Sequence, residues 1–286
     1  MTAAAGDARR VDLHTHSTAS DGYLAPADLV AAAHDAGLAA IGLTDHDTTA
    51  GIAVAHVAAE RVGMRLVPGV ELSATADWGE THILGYYIDP ASDALQTALR
   101  QFRDNRDTRM DGMIAQLAAI GVPVDAARVR ELAGPGAVGR PHLARALVEA
   151  GHVENVREAF HRYLSYGRPG YAPKPKVPPA EAIAVIRAAG GVPVLAHPFS
   201  TDDPAETVRH LQPLGLLGME VWYGEYTPEQ RGELHAIATG FGLIATGGSD
   251  FHGHGFKPGR DLGGPPVAYE VVERLADAAN RVRAYG

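Results

Sequence analysis

The chain has 286 residues, enough for one large domain or for a domain with an inserted lobe. It contains no cysteine, which excludes disulfides, thiolate metal sites and cysteine nucleophiles. No apolar run approaches the ~20 residues that span a bilayer, and residues 1–10 lack the apolar stretch of a signal peptide. A cytoplasmic location is therefore expected.

The charge is distributed unevenly along the chain. The formal net charge of -9 argues against a general nucleic-acid coat protein. Residues 97–176, however, carry 13 Lys and Arg against 8 Asp and Glu, whereas the remainder carries 12 against 26. This asymmetry favours an acidic body that holds cations and a basic segment that an anionic substrate approaches. An ordinary solvated helical surface is the alternative for most of those arginines.

Strands and helices alternate in the first third of the chain. Apolar runs predict strands at 11–13, 39–43, 65–70 and 81–88. Helices are predicted from Pro26, which suits a first helical turn, to Gly37 and from about Thr48 to Val62. Repeated strand–helix units of this kind imply a parallel sheet or barrel.

The pattern changes to helices alone after the fourth strand. A long helix is predicted over 93–121, and its apolar positions are Leu95, Leu99, Phe102, Met110, Met113 and Leu117. Shorter helices are predicted at 125–132, 141–150 and 154–164. The proline-rich stretch 171–179 cannot be helical and is the expected return linker. We therefore predict an all-helical insertion, a substrate-binding lobe at 97–176, between barrel parts at 1–96 and 177–286.

The alternation resumes after the linker. Strands are predicted at 192–196, 218–222 and 243–246, with helices between them, and the final segment 266–284 is mostly helical. Seven strands are expected in all. Each of them except the sixth lies near a residue of a metal-ligating type.

A His-x-His pair follows the first strand. Side chains two apart on a strand share a face, so His14 and His16 can meet one metal ion, with Asp12 as a partner behind them. Asp21 follows at loop distance, and Asp250 and His252 repeat the spacing of the pair. In parallel α/β folds the active site lies where the carboxyl ends of the strands meet.

The ligand-type residues at the strand ends comprise six imidazoles and three carboxylates. They are His14, His16, Asp21, His46, Glu71, His82, His197, Asp250 and His252. His82 is the exception, because its strand is predicted to begin there. A single histidine at a strand end is ordinarily a structural residue, but nine ligand-type residues together favour two or three divalent cations, because one ion takes four to six ligands.

The motifs around these residues resemble the PHP (polymerase and histidinol phosphatase) superfamily. They are D-L-H-T-H-S at 12–17, T-D-H-D at 44–47, P-G-V-E at 68–71, H-I-L-G-Y at 82–86, A-H-P at 196–198 and G-S-D-F-H at 248–252. The resemblance implies a distorted seven-stranded (β/α) barrel with a trinuclear metal centre, often of manganese, and its ligand pattern falls on the nine residues. The sequence G-R-P-H at 139–142 resembles the subgroup that acts on nucleoside 3′,5′-bisphosphates, some members of which trim short RNAs from the 5′ end.

Phosphate binding is expected from the lobe. Arg140 and His142 lie at the head of a predicted helix, where the helix dipole and the arginine fork favour an anion. Arg168 and Lys174 flank the return linker and are further candidates, with a solvated hinge as the alternative. Asp45 is expected either to donate a proton to the leaving alcohol or to orient a ligand. Imidazole and carboxylate ligands suit Mn, Fe or Zn.

Three functions remain open from the sequence. The first is a metal-dependent phosphoesterase that removes the 3′-phosphate of a nucleoside bisphosphate, with possible trimming of short RNA. The second is a histidinol-phosphate phosphatase, which the long basic insertion disfavours. The third is a non-catalytic interaction module, which loss of several ligands would have indicated. The expected partners are small phosphorylated molecules or short RNA, not a membrane or duplex nucleic acid.

Overall fold

The computed structural model describes residues 9–76, 79–134, 136–173 and 177–285. The strands are β1 Arg10–Thr15, β2 Leu38–Leu43, β3 Arg65–Ala76, β4 Gly79–Tyr86, β5 Val192–Leu195, β6 Gly218–Tyr223, β7 Ile244–Gly248 and β8 Val267–Ala268. The helices of the barrel are α1 Pro26–Asp35, α2 Ile52–Val62, α7 Pro179–Ala188, α8 Pro204–Leu211, α9 Pro228–Gly240 and α10 Glu270–Tyr285. Between β4 and β5 lie α3 Asp93–Ala119, α4 Ala126–Ala133, α5 Arg140–Glu149, α6 Val156–Ala159 and a π-helical turn, Phe160–Leu164.

The strands form a nearly closed barrel, which confirms the predicted α/β class. Their order is β7-β6-β5-β4-β3-β2-β1-β8. Closure occurs between β1 and the residues after β7, where the His16 amide donates to the Phe251 carbonyl at 2.9 Å. The described residues form eight strands instead of the predicted seven, because Val267 pairs antiparallel with Val11 where the sequence predicted helix.

The expectation of a parallel sheet is wrong at β4. This strand runs antiparallel to β3, from Gly69 opposite Tyr86 to Ala76 opposite Gly79, and antiparallel to β5. The physical reason is the two-residue separation of β3 and β4, since a parallel crossover needs a dozen residues or more. The start of β4 therefore lies at the same barrel edge as the carboxyl ends of its neighbours. That direction explains why His82 belongs with the other strand-end residues.

Helix α3 connects two separate apolar cores. Its first turns contribute Leu95, Leu99 and Phe102 to the core between the barrel and its surrounding helices. Its later turns contribute Met110 and Met113 to a second core, formed by α3–α6, the π-helical turn and the loops that connect them. Each group recurs at three- to four-residue spacing, which places it on one face of the helix. None of the described helices combines the length and the apolar composition needed to cross a membrane.

Gly248 at the end of β7 allows that strand to approach β1. A Cβ at this position would lie 2.4 Å from the His14 amide nitrogen. We expect Gly248→Ala to lower the free energy of unfolding by about 1–3 kcal/mol, because the backbone has to separate at the closure of the barrel. Gly232→Ala is the matched control, since a Cβ at that position in α9 would meet nothing within 4 Å. Denaturant titration of both variants measures the effect, and equal stabilities would contradict it.

Candidate metal centre

Glu71 lies at the middle of the group of predicted ligands. This side chain is 1% exposed and belongs to β3, where the strand continues into the hairpin with β4. Its Oε1 atom is 2.7 Å from His82 Nδ1 and 3.1 Å from His197 Nε2. Its Oε2 atom is 2.9 Å from His46 Nδ1. One carboxylate thus connects imidazoles from three further segments of the barrel.

The His-x-His pair of β1 contacts the same carboxylate from the other side. Glu71 Oε2 is 3.4 Å from His14 Nε2 and 3.3 Å from His16 Nε2. Asp250 Oδ1 is 3.5 Å and 3.2 Å from these two nitrogen atoms. The two imidazoles therefore share a pair of carboxylates, as the spacing along β1 predicts.

Asp21 and His252 form the third side of the cluster. Asp21 Oδ1 is 3.3 Å from His252 Nε2, and Asp21 Oδ2 is 3.9 Å from His46 Nε2. Three overlapping groups each have candidate ligand atoms within 4.8 Å of one another. They are His16, Asp21, His46 and His252; His14, His16 and Asp250; and His46, Glu71 and His82. His197 lies outside these groups but contacts Glu71.

The buried atoms of this cluster fit divalent cations. Six of them have no hydrogen-bond partner among the described residues, namely His14 Nε2, His16 Nδ1 and Nε2, Asp21 Oδ1, His46 Nδ1 and Glu71 Oε2. A buried polar atom without a hydrogen bond is energetically costly. Imidazole nitrogens and carboxylate oxygens are the ligands that Mn, Fe and Zn accept, so the donor set suits these ions.

Without bound metal ions, protons on the imidazoles balance the negative charge of the buried carboxylates. Burial alone lowers the pKa of His16, but the adjacent negative charges of Asp250 and Glu71 raise it to about 9. Burial alone raises the pKa of Glu71, but the imidazoles of His46 and His82 bring it well below its usual range. Cations that bind here therefore replace protons on imidazoles that the carboxylates already attract.

Glu220 supports the cluster from behind and was missed by the sequence reasoning. It lies in β6, the strand to which no ligand-type residue was assigned, and it is 0% exposed. Its Oε1 atom is 3.0 Å from His14 Nδ1, and its Oε2 atom accepts from the His197 amide at 2.8 Å. A proton on Nδ1 of His14 leaves Nε2 available as a ligand. The available signal was an acidic residue inside a buried strand.

Two aspartates near the strand ends, Asp12 and Asp45, accept hydrogen bonds from backbone amides. Asp12 accepts hydrogen bonds from the amides of Ser249 at 3.0 Å and Gly263 at 2.8 Å. Burial raises the pKa of Asp45, yet both its oxygens are occupied. Oδ1 accepts from the Ser17 amide at 2.8 Å, and Oδ2 accepts from the Ser17 hydroxyl at 2.7 Å. These contacts favour the orienting role of Asp45, because they fix the turn that leads to Asp21.

The N-terminus of α5 lies against the cluster. A Cβ at Gly139 would be 3.1 Å from Asp21 Oδ2, so the helix begins in contact with that carboxylate. His142 is 3% exposed, and its Nδ1 atom accepts from the Gly139 amide at 3.0 Å. Arg140 is half-buried with its guanidinium carbon 5.8 Å from the centre of the Phe160 ring.

The other two phosphate-binding candidates, Arg168 and Lys174, flank the return linker. Arg168 is exposed, and within the described ranges its side chain forms no hydrogen bond or ion pair with the predicted ligands. Lys174 lies outside the described residues.

Two arginines of α3, Arg103 and Arg106, contact the barrel. The sequence did not predict either of them as part of the site. Arg106 Nε forms an ion pair with Asp47 Oδ2, and Arg106 Nη2 donates to Ser73 Oγ at 3.0 Å. Arg103 donates to the Asp47 carbonyl at 3.2 Å. The available signal was a gap in the apolar stripe of α3, in which Phe102 and Met110 are separated by two turns. Helical periodicity predicts an inward-facing residue midway between them, and Arg106 occupies that position with its side chain 10% exposed.

Arg260 forms an ion pair with one carboxylate oxygen of Asp250. Its Nη1 atom is 2.7 Å from Asp250 Oδ2, to which the Tyr223 hydroxyl also donates at 2.8 Å. Its Nε atom donates to Glu225 at 2.6 Å. The other oxygen of Asp250 is thereby turned toward His14 and His16. No sequence signal singled out this arginine, because it lies in the irregular segment that follows the last ligand.

A cleft separates the helical segment from the barrel beside Asp21. It has a volume of about 710 Å³ and is lined by the turn at 18–23, the loop before α5, and the side chains of His142 and Arg145. The ring of Tyr23 borders it, with the Arg145 guanidinium carbon 5.7 Å from the ring centre. His142 also lies near Asp21, so the cleft adjoins the cluster of predicted ligands.

Known proteins resemble the chain over nearly its whole length. A profile of the PHP domain matches residues 12–177. The 3′,5′-nucleoside bisphosphate phosphatase of Chromobacterium violaceum is 37% identical over 277 residues, which cover 93% of this chain and 96% of that protein. The 5′-3′ exoribonuclease Rnm of Escherichia coli is 38% identical over 247 residues, which cover 84% of each chain.

Solved structures share the fold. A Bifidobacterium adolescentis protein, described as belonging with the metal-dependent phosphoesterases, superposes with a TM-score of 0.87 at 33% identity, covering 96% of this chain and 97% of that one. An amidohydrolase from Chromobacterium violaceum, with bound sulfate and no metal, gives a TM-score of 0.86 at 34% identity, covering 94% and 96%.

Removal of the Glu220 charge should weaken metal binding. We expect Glu220→Gln to reduce the affinity for Mn²⁺ by roughly 10- to 100-fold, because the carboxylate fixes the orientation of the His14 ring. Titration with a chelator, followed by elemental analysis, measures the affinity. Glu233→Gln is the control, since Glu233 is exposed on α9. Unchanged affinity in a folded Glu220→Gln protein would contradict the role of Glu220.

Proposed function

Because the chain belongs to the PHP domain family, we propose that it is a metal-dependent phosphoesterase acting on nucleoside 3′,5′-bisphosphates. It hydrolyses the 3′-phosphate and leaves a 5′-mononucleotide. The same ester cleaved in a short RNA releases 5′-mononucleotides from the 5′ end. The observation that carries the proposal is the convergence of six imidazoles and two further carboxylates on Glu71, with ligand atoms that have no hydrogen-bond partner among the described residues.

The nine predicted ligands hold the metal ions in this proposal. Three divalent cations fit their number, with manganese as the first choice and iron or zinc as alternatives of the same donor preference. Bound ions of this type activate water and neutralise the phosphoryl oxygens. The names of two similar proteins, a nucleoside bisphosphate phosphatase and a 5′-3′ exoribonuclease, support this class of substrate.

Residues behind the ligands position them. Glu220 orients His14 and the backbone of His197. Asp45 holds the turn that presents Asp21 and acts as a positioning residue in this scheme. Arg260 neutralises the outer oxygen of Asp250. These contacts preorganise the site, so that little reorganisation is needed when charge develops on the phosphoryl group.

Substrate recognition is assigned to the helical lobe at 97–176. Arg140 and His142 begin α5 next to Asp21, where a helix N-terminus and a guanidinium both favour a phosphate. The adjoining cleft of about 710 Å³ is large enough for a nucleoside. Arg168 and Lys174 contribute to the approach of an anionic substrate from the return linker.

Phosphate release from three substrates tests the function. We expect 3′-phosphoadenosine 5′-phosphate and a short 5′-phosphorylated RNA to be hydrolysed in preference to histidinol phosphate. His14→Ala should lower kcat/KM by roughly 10²- to 10³-fold, because a ligand shared by two carboxylates is lost.

His34→Ala is the control for this experiment, since the side chain of His34 is 52% exposed and lies on α1, away from the cluster. Turnover of every substrate at the parent rate by His14→Ala would refute the metal-centre mechanism. Preference for histidinol phosphate would refute the proposed substrate.

A further inference from the structure

A pair of tyrosine rings lies at the surface of the helical lobe. The side chain of Tyr166 is 86% exposed. Its ring meets that of Tyr171 edge to face, with 5.4 Å between the ring centres and 72° between the ring planes. At this exposure, at least one face of the Tyr166 ring is open to solvent. The pair therefore offers a flat aromatic surface on which another planar group can stack.

Backbone hydrogen bonds fix the turn that carries the exposed ring. We call residues 165–171 the aromatic turn. The Ser165 amide donates to the Phe160 carbonyl at 3.1 Å, and the Gly170 amide donates to the Tyr163 carbonyl at 3.0 Å. Both acceptors belong to the π-helical turn of the lobe. Because the backbone is already ordered, little conformational entropy is lost when a ligand packs on the ring.

Contacts with α3 connect the aromatic turn to the metal centre. The centre of the Tyr171 ring lies 5.2 Å from the guanidinium carbon of Arg109. Arg109 follows Arg106 by about one turn of the helix, and Arg106 Nη2 donates to Ser73 Oγ at 3.0 Å. Ser73 is the partner of His82 across the hairpin of β3 and β4. A continuous series of contacts thus leads from the aromatic turn to a predicted metal ligand.

The return linker leads from the aromatic turn to the same hairpin. At its beginning, the Ala172 carbonyl accepts from Arg109 Nε at 2.8 Å. At its end, the Val177 carbonyl accepts from the Thr75 amide at 2.7 Å. Thr75 lies in the part of β3 that pairs with β4. Both described ends of the linker are therefore anchored, and the aromatic turn is held on the side of the lobe that adjoins the barrel edge.

The charge around the exposed ring is positive. Residues 159–176 contain four Lys and Arg and no Asp or Glu. Arg168 lies two residues from Tyr166, is exposed, and forms no ion pair with any described residue. An open aromatic ring beside uncompensated cations is the combination by which proteins bind single-stranded nucleic acid, because a base stacks on the ring while the cations attract the phosphates.

We propose that the aromatic turn binds the RNA strand on the 3′ side of the scissile bond, with a base stacked on Tyr166 and a neighbouring phosphate at Arg168. The inference rests on the proposed function, in which the first phosphoester of the strand lies at the metal ions. A nucleoside bisphosphate ends at that ester and does not extend to the turn. The aromatic turn therefore contributes to the binding of RNA alone.

Stacking at the aromatic turn favours unpaired nucleotides of any sequence. Every base has an aromatic face, so a contact with the Tyr166 ring is tolerant of base identity. A strand that is paired with its complement cannot turn a base out onto the ring. We therefore expect the turn to bind single-stranded RNA, and pairing of the downstream nucleotides to abolish its contribution.

Substrates of different length test the aromatic turn. We expect Tyr166→Ala to lower kcat/KM for a 5′-phosphorylated single-stranded RNA of several nucleotides by about 5- to 100-fold, the usual contribution of one stacked base. The value for adenosine 3′,5′-bisphosphate should change by less than about twofold. Tyr166→Trp should retain the parent value for the RNA, because its ring also stacks. Tyr285→Ala is the matched control, since Tyr285 is 89% exposed on α10.

A purely structural role of Tyr166 gives a different result. If the ring only supports the lobe through its contact with Tyr171, Tyr166→Ala lowers kcat/KM equally for the RNA and for the bisphosphate. Equal losses, or an unchanged value for the RNA, overturn the proposal. A parent value for the RNA in Tyr166→Leu also overturns it, because leucine is apolar but offers no ring on which a base can stack.

Binding of RNA without turnover separates this inference from the proposed function. Fluorescence anisotropy of a labelled single-stranded RNA with the His14→Ala protein needs no hydrolysis. In that background we expect Tyr166→Ala to weaken binding by about 5- to 100-fold. Arg168→Gln should reduce the slope of log affinity against log salt concentration by about 0.7, the effect of one phosphate contact. Arg61→Gln is the control, since Arg61 is exposed on α2.

The two kinds of failure are distinguishable. If the parent protein hydrolyses no bisphosphate but RNA binding depends on Tyr166, the proposed function fails and the RNA-binding turn stands. If the bisphosphate is hydrolysed and RNA binds equally well with and without the Tyr166 ring, the RNA-binding turn fails.

Discussion

The contact on which the site depends is that of one buried carboxylate, Glu71, with five imidazoles. A carboxylate removed from water is unstable alone, so the surrounding groups have to carry positive charge as protons or as metal ions. The position of Glu71 in turn depends on the continuation of β3 beyond the parallel sheet into the hairpin with β4. Closure of the barrel at Phe251 then brings β1 and its two histidines to the opposite side of the same carboxylate.

Much of this arrangement could be predicted from the sequence, because strand ends meet at one edge of a barrel and side chains alternate with a period of two. His14 and His16 are examples, and the structure places both against Glu71 and Asp250. His82 was the exception among the predicted ligands, because it lies at the start of its strand. Only the antiparallel direction of β4, which follows from its short connection to β3, places it at the same barrel edge as the others. Glu220 was missed because it follows no strand end and acts through another residue. The partner of Arg106 is 59 residues away along the chain, a distance over which local patterns carry no information.

The uneven charge along the sequence has a structural counterpart. The acidic part supplies the barrel edge, where carboxylates are compensated by imidazoles and by Arg260. The basic part supplies α3 and α5, and two arginines of α3, Arg103 and Arg106, contact Asp47 of the barrel. Three surface arginines of the helical segment form ordinary ion pairs, namely Arg128 with Glu149, Arg130 with Asp111 and Arg162 with Glu158, and such pairs contribute little to stability. Arg106 differs from these, because it occupies a position in α3 where an apolar residue would otherwise pack and pairs with Asp47 of the barrel.

The length of α3 has a consequence for how this protein can diverge. The helix has 27 residues and spans about 40 Å. Each residue added to it or removed from it rotates everything beyond that point by about 100°. One such change between Phe102 and Met110 would rotate the apolar face that α3 presents to the second core away from the residues it packs against. Single-residue insertions and deletions should therefore be as strongly disfavoured in this helix as substitutions of the histidines. Changes of substrate are expected to arise by replacement of side chains on the lobe or by exchange of the whole segment.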